Sequence, residues 1–181
     1  LNAYVAGVGM TPFGKHLDRG LKSLGAEAIS AALSDAGMES RALEAAYMAN
    51  AAAGLITGQE MICGQVVLHA MRIGQIPVVN IENACASASS AFGQAAAMVS
   101  AGLYDVVLAC GVEKMYHEDK SVTFGALGGA VDVEAKAALK AELEADAKAS
   151  GASQAAGGAG EKRSVFMDFY ARKARAHMDA Y

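Results

Sequence analysis

The alternation of short apolar runs with helix-periodic segments constrains this chain more than any other feature. NAYVAGVGM at residues 2–10 is apolar and glycine-terminated, as a buried strand is, and TPFGKHLDRG after it has the residues of a loop. From Leu21 to Ala36 the apolar positions Leu21, Leu24, Ala28, Ala32 and Ala36 recur at three and four residues, and Gly37 stands where a helix C-cap is expected. EAAYMAN at 44–50 reads as a second strand, and a second helix over about 59–73 ends at Gly74. IPVVNIEN supplies a third strand whose Pro77 marks its beginning, and a third helix runs from about Ala84 to Ala101. YDVVLACGVE at 104–113 is a fourth strand, rich in branched residues. Strands alternating with helices predict an α/β fold with a mainly parallel sheet and right-handed crossovers.

The third helix, CASASSAFGQAAAMVSAGL, carries no charge at all. A helix that is apolar or small all round is normally buried on every side. One sheet with its own helices cannot bury it so completely, which predicts a second layer from another half or another subunit.

After Met115 the character changes to Gly/Ala-rich loops, a solvated helix near 132–149 and the flexible run GASQAAGGAG. A last helix, SVFMDFYARKARAHMDAY, places Met167, Tyr170, Ala174 and Met178 on one face and Asp168, Arg172, Arg175 and Asp179 on another. The expected division is an α/β domain over 1–114 and a helical excursion over 115–181.

Hydrophobic residues make up 54% of the chain, ample for a core, and the net charge of −4 comes without a basic run, which argues against nucleic acid as a partner. Apolar stretches break well short of the roughly 18 residues a membrane span needs. Lys15, His16, Asp18 and Arg19 interrupt the first twenty residues, so no secretory signal is expected there. The three cysteines are odd in number and lack metal-type spacing, which points to free thiols in a cytoplasmic setting and to no metal site. In VAGVGMTPFG, Pro12 takes the place where a dinucleotide-binding GxGxxG would need its last glycine.

The segment VVNIENACASASSAF at 78–92 carries the chemistry, because a strand there ends in a polar turn and a cysteine begins the uncharged helix. With Asn83 as N-cap, Cys85 falls in the first turn, where unpaired N–H groups and the positive end of the helix dipole suit a nucleophilic thiolate. The other reading of Cys85 is a small buried residue, as free cysteines usually are. Cys63 and Cys110, within an apolar helix and an apolar strand, suit inert packing.

That segment, together with TPFGK at 11–15 and LACGVEKM at 108–115, resembles the thiolases, and the sterol-carrier-protein-type enzymes in particular. The resemblance implies a thiolase-like N-terminal half: a mixed, mainly parallel sheet with helices on both faces and a helical loop-domain excursion. It implies that Cys85 takes the acyl group of a coenzyme A thioester, in Claisen condensation or thiolytic cleavage of a 3-ketoacyl-CoA. A second half would supply the histidine base, a second cysteine and much of the oxyanion hole. The substrate would be an acyl-CoA, with no tightly bound cofactor, and the assembly a homodimer or larger oligomer. Ser87 matches a small polar residue common two positions after the cysteine, and packing against the helix side is its other reading. The family often has asparagine where Glu82 stands and glycine where Ala88 stands.

None of the four histidines lies in a segment resembling the family's Gly-His-Pro motif. His69 and His177 fall on predicted helices, His16 in the first loop, and His117, in the loop after GVEKM, is the one that merits a test as a base. Lys162, Arg163, Arg172, Lys173 and Arg175 either meet CoA phosphates, as the family's loop domain does, or form a solvated helix face. Two further functions share this fold. One is a carbon–carbon lyase of steroid or lipid breakdown with a small partner protein, in which Cys85 is a relic; the other is a non-catalytic subunit.

Overall fold

The computed structural model of the chain describes residues 2–149 and 165–181, and divides into two compact units that meet between Glu118 and Asp119. In the first unit, helix α1 (Leu21–Asp35) precedes strand β1 (Ala45–Ala49). Helices α2 (Ala53–Thr57) and α3 (Cys63–Ala70) lead to β2 (Val78–Ile81), and α4 (Ser87–Ser100) leads to β3 (Val107–Gly111). The three strands form a wholly parallel sheet in the order β2-β1-β3, with Ala46 opposite Val78 on one side and Ala45 opposite Val107 on the other.

This order explains the layering. The connection from β1 to β2 runs one way along the sheet and that from β2 to β3 runs back across β1. Right-handed crossovers in opposite directions lay their helices on opposite faces. Accordingly, Ala46 and Met48 point into a core with Leu21, Leu24 and Ile29 of α1 and Val67 and Leu68 of α3. Their neighbours Ala45, Tyr47 and Ala49 point the other way, against Ala91 and Ala95 of α4. All five residues of β1 are buried, as the central strand of a sheet covered on both faces must be.

Gly25 sets the approach of α1 to α3, since a β-carbon there would lie 2.6 Å from a methyl of fully buried Val67. Gly37 takes φ +62 just beyond α1, the left-handed geometry that ends helices.

Residues 2–10 correct the expectation of a first strand. They join no ladder and instead run against α1, with the Val8 N–H donating to Asp35 Oδ2 at 2.8 Å. At Gly7 a β-carbon would fall 2.5 Å from Ala32 O, so the glycines serve close passage over a helix backbone rather than strand termination. Tyr4, Val5, Val8 and Met10 are exposed. The expected helix over 59–73 is also corrected, because Gly58 at φ +82 closes the short α2 and Ile62 at φ +52 restarts the chain into α3.

α4 buries Ser87, Ala91 and Ala95 and leaves its outward side open, with Phe92 56% exposed. Burial on every side is therefore not achieved among the described residues.

The second unit holds α5 (Lys120–Leu127), α6 (Lys136–Ala149) and α7 (Val165–Ala180). The Gly/Ala-rich stretch after Met115, expected as loop, contains α5 because Asp119 caps it, its carboxylate accepting the Ser121 N–H at 2.9 Å. Asp132 does the same ahead of α6, accepting from Glu134 N at 2.9 Å. On α7 Met167, Tyr170 and Met178 are exposed, while Phe166, Phe169 and Arg172 are half-buried. The sheltered face is thus a different one from the Met/Tyr face read from periodicity.

Candidate active site

All three strands end on the same edge of the sheet, so their exits gather Asn50, the turn 82–86 and Gly111–Glu113. In open parallel sheets the crevice at the carboxyl ends of the strands is where ligands bind. Cys85 sits there and is exposed.

Its local geometry differs from the first turn of a helix. Residues Ala84–Ala86 form a 3-10 turn, α4 begins only at Ser87, and Asn83 makes no side-chain cap. The Asn83 amide instead donates to Ser90 Oγ at 2.9 Å. The cause lies at Ala84, which adopts φ +45. A left-handed alanine costs roughly 1–2 kcal/mol, so other contacts must hold it.

Those contacts are two side chains. Glu82 Oε1 accepts the Ala84 N–H at 2.6 Å, and Ser87 Oγ donates to the Ala84 carbonyl at 2.7 Å while accepting the Asn83 N–H at 2.8 Å. Ser87 is 5% exposed, and these two bonds satisfy a hydroxyl that would be costly to bury alone. The residue immediately before Cys85 is therefore gripped at both its polar backbone groups.

A second latch ties the neighbouring strand exits together. Glu113, beyond β3, accepts the N–H groups of Ala51 and Ala52 through one oxygen, each at 3.0 Å, and its other oxygen accepts from Lys114 N at 3.0 Å. Asn50 donates to Val112 O at 2.7 Å. Lys114 Nζ donates to the carbonyls of His16 and Arg19, which fastens the loop after residue 10 to the segment after β3. The three segments that carry the family resemblance thus belong to one unit, and the loop residues just after the first of them are bonded to the last. The carboxylate of Glu113, aimed back at α2 from some sixty residues away, leaves no periodic trace in sequence.

A cavity of about 280 Å³ opens on this edge, bordered by Asn50, Leu55, Cys63, Asn80 and Glu82. Asn80 is held there by donating to Gln65 Oε1 and accepting from Gly64 N, both at 2.7 Å. Cys63 is buried and its thiol donates to Gln59 O at 2.9 Å. Burial pushes the Cys63 thiol up, against the opposing pull of a backbone hydrogen bond. Burial likewise pushes Cys110 up to about 11. Both thiols are held in their neutral form by loss of water.

Of the histidines, His117 is half-buried in the loop after β3, and His16 donates from Nε2 to Pro12 O at 2.7 Å. His69 is exposed at the end of α3, and the ring of His177 on α7 lies tilted against that of Tyr181, with centroids 4.9 Å apart. Arg172 pairs with Glu142 at 3.3 Å and Lys173 lies over Phe169 at 5.6 Å, while Arg175 is exposed. Lys162, Arg163 and the run GASQAAGGAG lie outside the described residues. No helix among the described residues is long and apolar enough to cross a membrane.

Several known proteins are similar to this chain. Acetyl-CoA acetyltransferase of Methanocaldococcus jannaschii is 41% identical over 111 residues, covering 61% of this chain and 28% of that protein. Sterol carrier protein 2 of Gallus gallus is 37% identical over 115 residues, covering 62% and 20%. Benzoylsuccinyl-CoA thiolase subunit BbsB of Thauera aromatica is 33% identical over 111 residues, covering 61% and 27%. The chain therefore spans less than a third of the length of these relatives. A crystal structure of 3-oxoacyl-(acyl-carrier-protein) synthase III from Aquifex aeolicus VF5 superposes with a TM-score of 0.48 at 20% identity, over 54% of this chain and 31% of that one. The family described as "Thiolase, N-terminal domain" matches residues 3–165. With its parallel sheet covered on both faces and that match over most of its length, the chain belongs to the thiolase family, as an N-terminal domain.

Proposed function

We propose that this chain contributes the nucleophile to thiolase-type acyl transfer on coenzyme A thioesters. The observation that carries the reading is the exposure of Cys85 on a clamped turn at the carboxyl edge of a parallel sheet. The Cys85 sulfur attacks the thioester carbonyl, CoA leaves as its thiol, and the acyl group rests on the enzyme. A second acyl-CoA then takes the acyl group through its α-carbon, or CoA reverses the sequence on a 3-ketoacyl-CoA. The names of the acetyl-CoA acetyltransferase and benzoylsuccinyl-CoA thiolase relatives support a CoA thioester as substrate.

The base and a second cysteine belong, in this reading, to a second half of the fold, which also covers the open side of α4. Assembly is a homodimer or larger oligomer, and three unpaired cysteines suit a cytoplasmic enzyme.

Full-length protein incubated with an acyl-CoA, quenched in acid and digested tests the reading. The peptide containing Cys85 should gain the acyl mass, and Cys85→Ala should abolish both the adduct and turnover. Turnover that survives the substitution would overturn acyl transfer at Cys85 and favour the carbon–carbon lyase.

A further inference from the structure

We infer that Glu82 is a positioning residue for Cys85, acting through the backbone of Ala84 and in concert with Ser87. The inference rests on the reading of Cys85 as nucleophile, and it adds a role for a side chain that does not touch the reacting atoms.

The argument starts from the conformation of Ala84. At φ +45 this residue lies in the region an alanine avoids, and it directly precedes the cysteine. A nucleophile must meet its carbonyl along a narrow approach, and small errors of placement cost rate steeply. The two dihedrals of Ala84 set the orientation in which the backbone enters Cys85, so whatever fixes Ala84 narrows where the sulfur can lie. Among the described residues two side chains hold the polar groups of Ala84: the Glu82 carboxylate takes its N–H at 2.6 Å, and the Ser87 hydroxyl takes its carbonyl at 2.7 Å.

Glu82 and Ser87 differ in what anchors them. Ser87 is buried at the start of α4, and its hydroxyl is held from both sides. Glu82 follows β2 directly and borders the 280 Å³ cavity, so its carboxylate links the wall of that cavity to the turn bearing the sulfur. A molecule seated in the cavity that drew the carboxylate away would loosen the aim of Cys85, and one that left it in place would not.

Glu82→Gln and Glu82→Ala separate hydrogen bonding from charge, because both variants are uncharged and only glutamine keeps an acceptor oxygen. Two measurements on the full-length protein read the outcome. Deuterium exchange of the peptide spanning residues 82–87 should be faster in Glu82→Ala than in Glu82→Gln, because the Ala84 N–H has lost its partner. The rate constant for acylation of Cys85 by acetyl-CoA and by a longer acyl-CoA should be about tenfold lower in the alanine variant than in the glutamine variant, the loss of one well-made hydrogen bond. Equal exchange in the two variants overturns the clamp. Faster exchange with equal acylation overturns the positioning role. If the wild-type protein itself acquires no acyl group, the reading of Cys85 fails instead, and the exchange data still decide whether the clamp exists.

Discussion

The methyl of Ala88 lies over the bare α-carbon of Gly111, where an added β-carbon would stand 3.2 Å from it. α4 and the end of β3 therefore approach through a matched pair of small residues.

Gly111→Ala should be destabilising alone and tolerated in an Ala88→Gly background. A double-mutant cycle by urea denaturation should give a coupling of about 1 kcal/mol, as expected for side chains in direct contact. Additivity within error would show that α4 shifts freely over the strand.

The thiols should separate by exposure. Iodoacetamide at pH 8 should label Cys85 in the folded protein, while Cys63 and Cys110, both buried and pushed up by burial, should react only after denaturation. Peptide mass mapping before and after guanidinium gives the answer, and early labelling of Cys110 would contradict the packing of β3.

Alkaline stability carries the mark of Cys110. Its thiol is pushed from 9.0 to about 11 by burial, so the folded state holds a proton that the unfolded chain releases. The contribution is fully present below pH 9 and is lost as pH rises through about 11, because the unfolded state binds fewer protons in that window. The total is roughly 3 kcal/mol. Cys110→Ala should flatten the decline between pH 9 and pH 11 when urea midpoints are compared, even though the variant is less stable at neutral pH.

Glu113→Ala should free the amides of Ala51 and Ala52 and cost about 1–2 kcal/mol. Its effect should concentrate in the β1–α2 connection, read as faster deuterium exchange over residues 50–57, with little change in α1. Glu113→Gln retains an acceptor oxygen and should recover part of the loss.

Much of this architecture is written locally. The helix over α1, the cap at Gly37, the three paired strands and the position of Cys85 in the turn after β2 follow from periodicity and turn residues within a few positions of each. What escaped is what depends on partners far along the chain or on single dihedrals. Residues 2–10 have the composition of a strand, but a strand exists only through a neighbour, and among the described residues they lie on α1 instead. The break between α2 and α3 turns on the backbone of Ile62, whose side chain gives no hint of φ +52. At the site, Asn83 has every attribute of a cap, yet Ala84's left-handed turn carries it past that role to Ser90. The clamps of Glu82, Ser87 and Glu113 are ordinary polar residues whose importance lies in where folding delivers them.

β1 divides the unit in a way that matters for how such a protein can change. Met48 belongs to one core and Tyr47 to the other, so the strand acts as a partition between two packing problems that share a backbone and little else. Substitutions drifting through α1 and α3 leave the α4 side with its own contacts intact. A lineage can therefore remodel the neighbourhood of the cysteine while the opposite layer keeps the domain folded, and the two layers are free to accumulate change at different speeds.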